Sequence, residues 1–404
     1  MRAKILNIGD EILSGKTINT NSGFIATELS KLSIVVEEIV VVGDDEEAIR
    51  REVLKFKHGD MDILITTGGL GPTHDDLSKE TICSALGLDL VIHAETKEKI
   101  DKYFNGKAPL SNLKQAYFPK EAIVIENNLG TAPGAIINKF DKHYFILVGP
   151  PTELKPMFMG PCLDYLRNLQ DEKFLISEYI VMGGGESFFE DLLKDEIFDK
   201  LENVSLNPYA GVGKIRYILK SKVEDEIEFK NIKEQFENIM KDYIVSYEDK
   251  EVEEVLYDLL RAKNYKISFG ESITGGMLAS TFINVSGASK CLSESFITYS
   301  DESKIKYLNV SQVTLANYGA VSEEVAREMA EGLQNNTSSD VVLAITGYAG
   351  PSGEEDKIGL VYYGIKIKDN LYTYKSKFKG DRSMVRLRAT LFGYYKLISL
   401  LKEE

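Results

Sequence analysis

Over residues 1–168 two hydrophobic rhythms alternate. "KILNIG", "IVVEEIVVV" and "DILITTGG" are runs rich in β-branched residues and read as strands. Between them, "NSGFIATELSKL" sets Ile25, Leu29 and Leu32 along one face at helical spacing, and "DDEEAIRREVLKF" also reads as a helix. Strands alternating with helices predict parallel pairing in a layered α/β fold. "YFILVGPP" closes the unit, because consecutive prolines resist continuing a central strand.

The texture changes from about Lys173 to Asp249. "FLISEYIVMGGGE", "GKIRYILKSK" and "DEIEFKNIKEQFENIMKDY" predict strand, strand and helix in a small α+β module, residues 169–248. "VSYEDKEVEEV" reads as a polar linker running into a helix that opens the last unit, residues 249–404, with Val252, Leu256, Leu259 and Leu260 on one face. "KISFG", "SESFITYS", "DVVLAIT", "LVYYGIKI" and "LYTYKSKF" follow as strands. "EEVAREMAEGL" and "RSMVRLRATLFGYYKLISLL" read as helices, the latter striped by Val385, Ala389, Phe392 and Tyr395. The fold class is therefore α/β in three parts.

A length of 404 residues suits two or three domains, and 43% hydrophobic with 27% charged residues suits a soluble globular chain. No apolar run approaches the ~20 residues of a membrane span. The start "MRAKILNIGDEIL" lacks the pattern of a secretory signal, so a cytoplasmic location is expected. Cys83, Cys162 and Cys291 are odd in number and far apart, which predicts reduced thiols rather than a disulfide framework or a zinc site. The net charge of −15 disfavours nucleic acid and anionic lipid as partners and favours small molecules. A homodimer is the default expectation for assembly. The four histidines are His58, His74, His93 and His143, so chemistry after position 143 must proceed without imidazole.

In the first unit, "GDEILSGKT" nearly matches a phosphate-binding loop but has five residues between its glycines. Asp10 and Glu11 among them would repel phosphate. Carboxylates at a strand end suit a divalent cation; the alternative is a solvated turn. In "TTGGLGPTHDD", Gly68, Gly69 and Gly71 would let main-chain N–H groups approach an anion, and Asp75 and Asp76 would start the following helix. With "NLGTAPGA" these segments outline one phosphate-and-metal pocket at the strand ends. In the middle module, "VMGGGES" supplies a glycine loop, but 10 basic against 19 acidic residues over 170–249 make a poor clamp for nucleic acid.

The last unit concentrates hydroxyl, amine and glycine signals: "GESITGG" with Ser272 and Thr274, "YSDESK" with Tyr299 and Lys304, "ITGYAGPSG" with Thr346, and "KGDRSMVR" with Arg382 and Arg386. A serine nucleophile needs a base, and without histidine Lys304 is the candidate, deprotonated through burial or a nearby cation. Main-chain N–H groups at Thr274, Gly275 and Gly276, or at Gly347, would stabilise an oxyanion, and Arg382 would pair with a phosphate. Alternatively, Ser272 or Thr274 caps a helix, and Lys304 and Arg382 are surface charges.

"GDEILSG", "NTNS", "TGGLGPTHDD", "NLGTAPG" and "GPPTEL" occur in the order found in the N-terminal domain of the competence/damage-inducible protein A (CinA) family, and the last unit resembles that family's C-terminal domain. The resemblance implies a molybdopterin-binding-like first domain with ADP-ribose pyrophosphatase activity. There Gly68, Gly69, Gly71, Asn21 and Thr131 would contact a nucleotide diphosphate. A divalent metal such as magnesium, near Asp10, Glu11 and Asp76, would act with Asp75 or Asp76 to promote attack of water. The middle resembles a KH-like module acting as spacer or dimerisation element. The last unit resembles a nicotinamide mononucleotide (NMN) deamidase that requires no cofactor. Ser272 would be its nucleophile, Lys304 and Tyr299 activating partners, Thr346 a site hydroxyl and Arg382 a phosphate contact, which leaves capping to Thr274. Ile273, Asp301 and Tyr348 depart from the family's usual cysteine, asparagine and isoleucine. Rival readings are a competence-linked scaffold with silent pockets and, for the first unit, a pterin-binding protein.

Overall fold

The computed structural model describes residues 1–169, 174–337, 339–352 and 355–404. Residues 170–173, at the expected start of the middle module, lie outside the described residues, as does Gly353 of "ITGYAGPSG". The chain forms two compact units, Met1–Lys173 and Phe174–Glu404.

The first unit is built on strands β1 (Arg2–Ile8), β2 (Val35–Val42), β3 (Ile63–Thr67), a small ribbon of β4 (Leu90–Ile92) with β5 (Tyr117–Pro119), then β6 (Ile123–Ile125), β7 (Gly134–Lys139) and β8 (Lys142–Leu147). The main sheet runs β2-β1-β3-β8-β7-β6. Its first four strands are parallel, as the alternating pattern predicts, whereas β7 runs antiparallel to both its neighbours, β8 and β6. Ile63, Leu64 and Ile65 of β3 are wholly buried, as expected of a central parallel strand covered on both faces. The prolines after β8 end the strand and then open a helix, Pro151–Met157, with Pro151 in the first turn, where its missing N–H is harmless.

The second unit contains two sheets. β9 (Phe174–Val181), β10 (Ser205–Ala210), β11 (Ile215–Lys222) and β12 (Ile244–Ser246) form an antiparallel sheet in the order β10-β11-β9-β12. Pro208 is tolerated because β10 is an edge strand. The larger sheet comprises β13 (Ile267–Glu271), β14 (Leu292–Ile297), β15 (Val341–Gly347), β16 (Leu360–Ile367) and β17 (Asn370–Lys377), ordered β14-β13-β15-β16-β17. β13 is parallel to β14 on one side and β15 on the other. Alternate residues of β15 feed two cores. Leu343 and Ile345 join Val385, Ala389 and Leu397, while Val342 and Ala344 join Val325, Met329 and Leu333. All three cysteines are buried and free, and no described helix is long and apolar enough to cross a membrane.

Candidate active sites

β13 is where the larger sheet reverses its strand order, and in open α/β sheets ligands gather beyond the carboxyl ends at such a point. Ser272 follows β13 directly, Thr298 and Tyr299 follow β14, and Thr346 is the last residue but one of β15. Lys304, on the helix Asp301–Leu308, reaches back beneath them. Its Nζ lies 3.3 Å from Ser272 Oγ, 3.0 Å from the Thr298 carbonyl and 3.5 Å from that of Tyr299. The lysine is 1% exposed and has no carboxylate partner among the described residues, and burial holds its pKa below the ordinary lysine value. The two carbonyls can only accept, whereas the Ser272 hydroxyl accepts from a charged amine and can donate to the lone pair of a neutral one.

The turn after Ser272 is held from below by a residue that motif reasoning passed over. Glu271, wholly buried at the end of β13, accepts the amides of Gly276 (2.9 Å), Leu278 (3.0 Å) and Ala279 (3.0 Å) and the Ser295 hydroxyl (3.3 Å). It therefore caps the helix Met277–Phe282, and the expectation that Thr274 does so is corrected: the Thr274 hydroxyl is buried without a partner. The reason is geometric, since two residues in left-handed conformations, Gly275 and Gly276, separate Thr274 from the helix start. Because Glu271 occupies the Gly276 amide, the amides of this turn left without an acceptor among the described residues are those of Ile273, Thr274 and Gly275, a run of donors that follows Ser272 directly. Ile273 itself points into the core, its Cδ1 only 2.9 Å from where a Cβ on Gly347 would stand.

The remaining residues surround this pair unequally. Tyr299 meets Lys304 through its carbonyl, while its exposed ring carries a hydroxyl that accepts from Arg382 at 3.0 Å. Arg382 also donates to the Gly350 carbonyl at 2.8 Å, and Arg386 donates to the Thr274 carbonyl at 2.6 Å. Thr346 is buried and its hydroxyl donates to the Ala320 carbonyl at 2.7 Å, which fastens a loop and leaves only its lone pairs for another group.

In the first unit a cleft of about 580 Å³ opens beyond the carboxyl ends of the parallel strands. Gly68, Gly69, Gly71, Thr131, Glu11, Asp75 and Asp76 line it. Gly68 and Gly69 are obligatory: both have left-handed φ, and a Cβ on Gly68 would stand 2.1 Å from the Ile8 carbonyl, one on Gly69 2.0 Å from Ser78 Oγ. Asp75 and Asp76 do not start the helix, as expected, but precede it. The helix begins at Ser78, and Asp76 instead accepts the Thr73 amide (2.9 Å) and hydroxyl (2.5 Å), closing a turn. Asp10 is outside the lining, and Asn21 is buried, acting on the cleft through the Gly149 carbonyl it holds at 2.7 Å. Asp44, which motif reasoning missed, lines the cleft and accepts the Asp10 amide at 3.1 Å. Burial, with the carboxylates of Asp10, Glu11 and Asp75, raises its pKa. Among the described residues no three His, Cys, Asp or Glu side chains form a ready-made metal cage.

A family profile described as "CinA C-terminal domain" matches residues 249–401, and one described as "Probable molybdopterin binding domain" matches residues 4–168. The chain is 39% identical over 403 residues to a "CinA-like protein" of Kosmotoga olearia, covering 97% of either chain. Among solved structures, a CinA superfamily protein of Escherichia coli is 39% identical over 37% of this chain and 88% of its own, with a TM-score of 0.36. A protein CinA of Thermoplasma acidophilum, titled as of unknown function, is 34% identical over 40% of this chain and 96% of its own, with a TM-score of 0.39.

Proposed function

Because this chain belongs to the CinA family, we propose that its C-terminal unit is a serine–lysine amidohydrolase acting on NMN. The observation that carries this reading is the approach of the buried Lys304 amine to within 3.3 Å of Ser272 Oγ. Neutral Lys304 takes the hydroxyl proton as Oγ bonds to the carboxamide carbon. The carbonyl electron pair moves onto oxygen, facing the free amides of Ile273, Thr274 and Gly275. Collapse of the adduct breaks the C–N bond, and the departing nitrogen takes the proton back from Lys304, leaving as ammonia. Water, relieved of a proton by the same amine, then cleaves the ester to nicotinate mononucleotide and free Ser272. Arg382 and Arg386 each keep N–H donors beyond those used on Gly350, Tyr299 and Thr274, enough to grip the phosphate. Purified protein should release ammonia from NMN, and Ser272→Ala should abolish the release; no ammonia, or an unchanged rate in the variant, refutes the assignment.

For the N-terminal unit the reading is hydrolysis of a nucleotide diphosphate, with ADP-ribose the first substrate to try. The glycine walls suit phosphate oxygens. The crowded carboxylates of Asp44, Asp75 and Glu11 suit a magnesium ion, which commonly takes one or two protein carboxylates and leaves its other positions to water and phosphate. When bound, such a cation supplies charge neutralisation and an acidified water. The profile match over residues 4–168 favours a pterin as the second ligand to test. Titration with ADP-ribose plus magnesium and, separately, with a pterin decides between them: binding of the pterin alone replaces the diphosphatase reading.

A further inference from the structure

The second unit holds another cavity, of about 360 Å³, that shares no lining residue with the Ser272 turn. One wall is the main chain of Gly183, Gly184 and Gly185, whose amides find no acceptor among the described residues. Lys377 and Arg388 also line it. Lys377 Nζ donates to the Asp356 carbonyl at 2.6 Å and Arg388 to that of Lys379, and neither has a carboxylate partner among the described residues. The apolar side is aromatic: Phe378 and Phe392 meet edge to face at 5.7 Å, and Phe392 and Tyr395 at 6.1 Å.

Each feature narrows the occupant. Consecutive unpaired amides with two uncompensated cations form a cradle for an anion. Aromatic walls select a planar ring, and the volume lies at the small end of ligand pockets. The glycines are matched to this geometry. Gly183 has φ +95°, and a Cβ there would stand 2.5 Å from Tyr395 Oη, so only glycine brings the wall this near the ring. Arg388 and Arg386 are two residues apart on one helix, roughly 200° around it, which sets this cavity across the helix from the Thr274 carbonyl that Arg386 holds. The acidic balance of the module, 10 basic against 19 acidic residues over 170–249, opposes a long polyanion but not a single phosphate ester. We propose that this cavity is a second ligand site of the unit, binding one phosphorylated planar-ring molecule of mononucleotide size. Its phosphate would lie on the glycine run with Lys377 and Arg388, and its ring against Phe378 and Phe392.

AMP is a suitable probe, counted by equilibrium dialysis on the full chain and mapped with 8-azido-AMP. Label is expected on peptides carrying Phe378 or Phe392. Gly185→Asp adds a carboxylate where a Cβ meets nothing within 4 Å, and should remove that label and lower the AMP bound by one per chain with the thermal melt unchanged. Arg388→Gln should weaken this site about tenfold or more. Lys377→Gln, at an exposed position, gives the same reading if either variant misfolds. An unchanged AMP count in these variants, absence of label at Phe378 and Phe392, or a single-stranded oligonucleotide labelling there in preference to AMP overturns the proposal.

Discussion

Replacing Glu271 by glutamine isolates what one buried carboxylate does for the turn after Ser272, because the side chain keeps its shape. In the native chain Oε2 accepts the Gly276 and Leu278 amides, and Oε1 accepts the Ala279 amide and the Ser295 hydroxyl. Glutamine keeps one oxygen. Its NH₂ does least harm in the Oε1 position, where the Ser295 hydroxyl can rotate to accept but the Ala279 N–H cannot. One buried donor facing another costs about 1–3 kcal/mol. Losing the negative charge at the start of the helix Met277–Phe282 adds roughly 1 kcal/mol. The sum, about 2–4 kcal/mol, corresponds to a fall in Tm of roughly 4–16 °C for a domain of this size. The clamp also fixes the segment from Ser272 to Gly275, so kcat for ammonia release should fall with KM little changed. Calorimetry of the full chain and an ammonia assay read the two effects. A Tm within about 1 °C of wild type together with an unchanged kcat would show that Glu271 does not organise the turn.

Lys304 gives a pH signature. Burial lowers its pKa in the folded state, so the neutral base is populated from that depressed value upward, and kcat/KM for NMN should rise with pH to a plateau. Between the folded value and about 10.4 the unfolded chain binds more protons, so this lysine's contribution to stability also rises with pH across that window. A flat rate profile contradicts its role as base, and Lys304→Arg, permanently charged, should be inactive in an ammonia assay. Gly347→Ala places a Cβ 2.8 Å from the Leu360 carbonyl and 2.9 Å from Ile273 Cδ1, an overpacking expected to cost about 1–3 kcal/mol in denaturant melts. Asp44→Asn should raise Tm in metal-free buffer by relieving repulsion from Asp10, Glu11 and Asp75, and should reduce the Tm gain on adding magnesium; an undiminished gain removes Asp44 from the cation site.

Much of the architecture was legible because parallel strands buried on both faces leave long β-branched runs, as in "DILITT" and "DVVLAIT". The antiparallel half of the first sheet was not. The β7–β8 hairpin turns through Phe140 and Asp141, both left-handed at φ 59° and 56°, where the usual signal is Asn-Gly. The Ser272–Lys304 pair was found by residue type and by the lack of histidine, whereas its support was hidden. A glutamate ending a buried run, followed by a turn with no capping residue just before the helix, was the available sign of Glu271. Asp44 repeats a visible pattern, since "VVGDD" echoes "NIGDE": a strand, a glycine and two carboxylates. Thr346 shows what a motif leaves open: a hydroxyl near a strand end looks the same whether its proton goes to a substrate or, as here, to the Ala320 carbonyl, which leaves its lone pairs free to accept.

The choice of lysine and the choice of parallel strands are linked. An exposed amine is almost wholly protonated at neutral pH, so a lysine base must be buried away from carboxylates, and a buried amine still requires acceptors for its remaining protons. The carboxyl end of a strand offers them, because its last carbonyls run past the ladder: Thr298, just beyond β14, and Tyr299 after it take this role for Lys304. The turn leaving the adjacent β13 offers the complement, a run of unpaired amides at Ile273, Thr274 and Gly275. On the proposed mechanism, acceptors for the base and donors for the oxyanion thus arise side by side where the neighbouring parallel strands β13 and β14 end together. A Ser272→Cys variant tests this division: the thiol would retain the oxyanion donors but need far less help from Lys304, so adding Lys304→Met should cost much less in the cysteine background than in the serine one. Equal losses in both backgrounds would mean that Lys304 serves the site by packing rather than as its base.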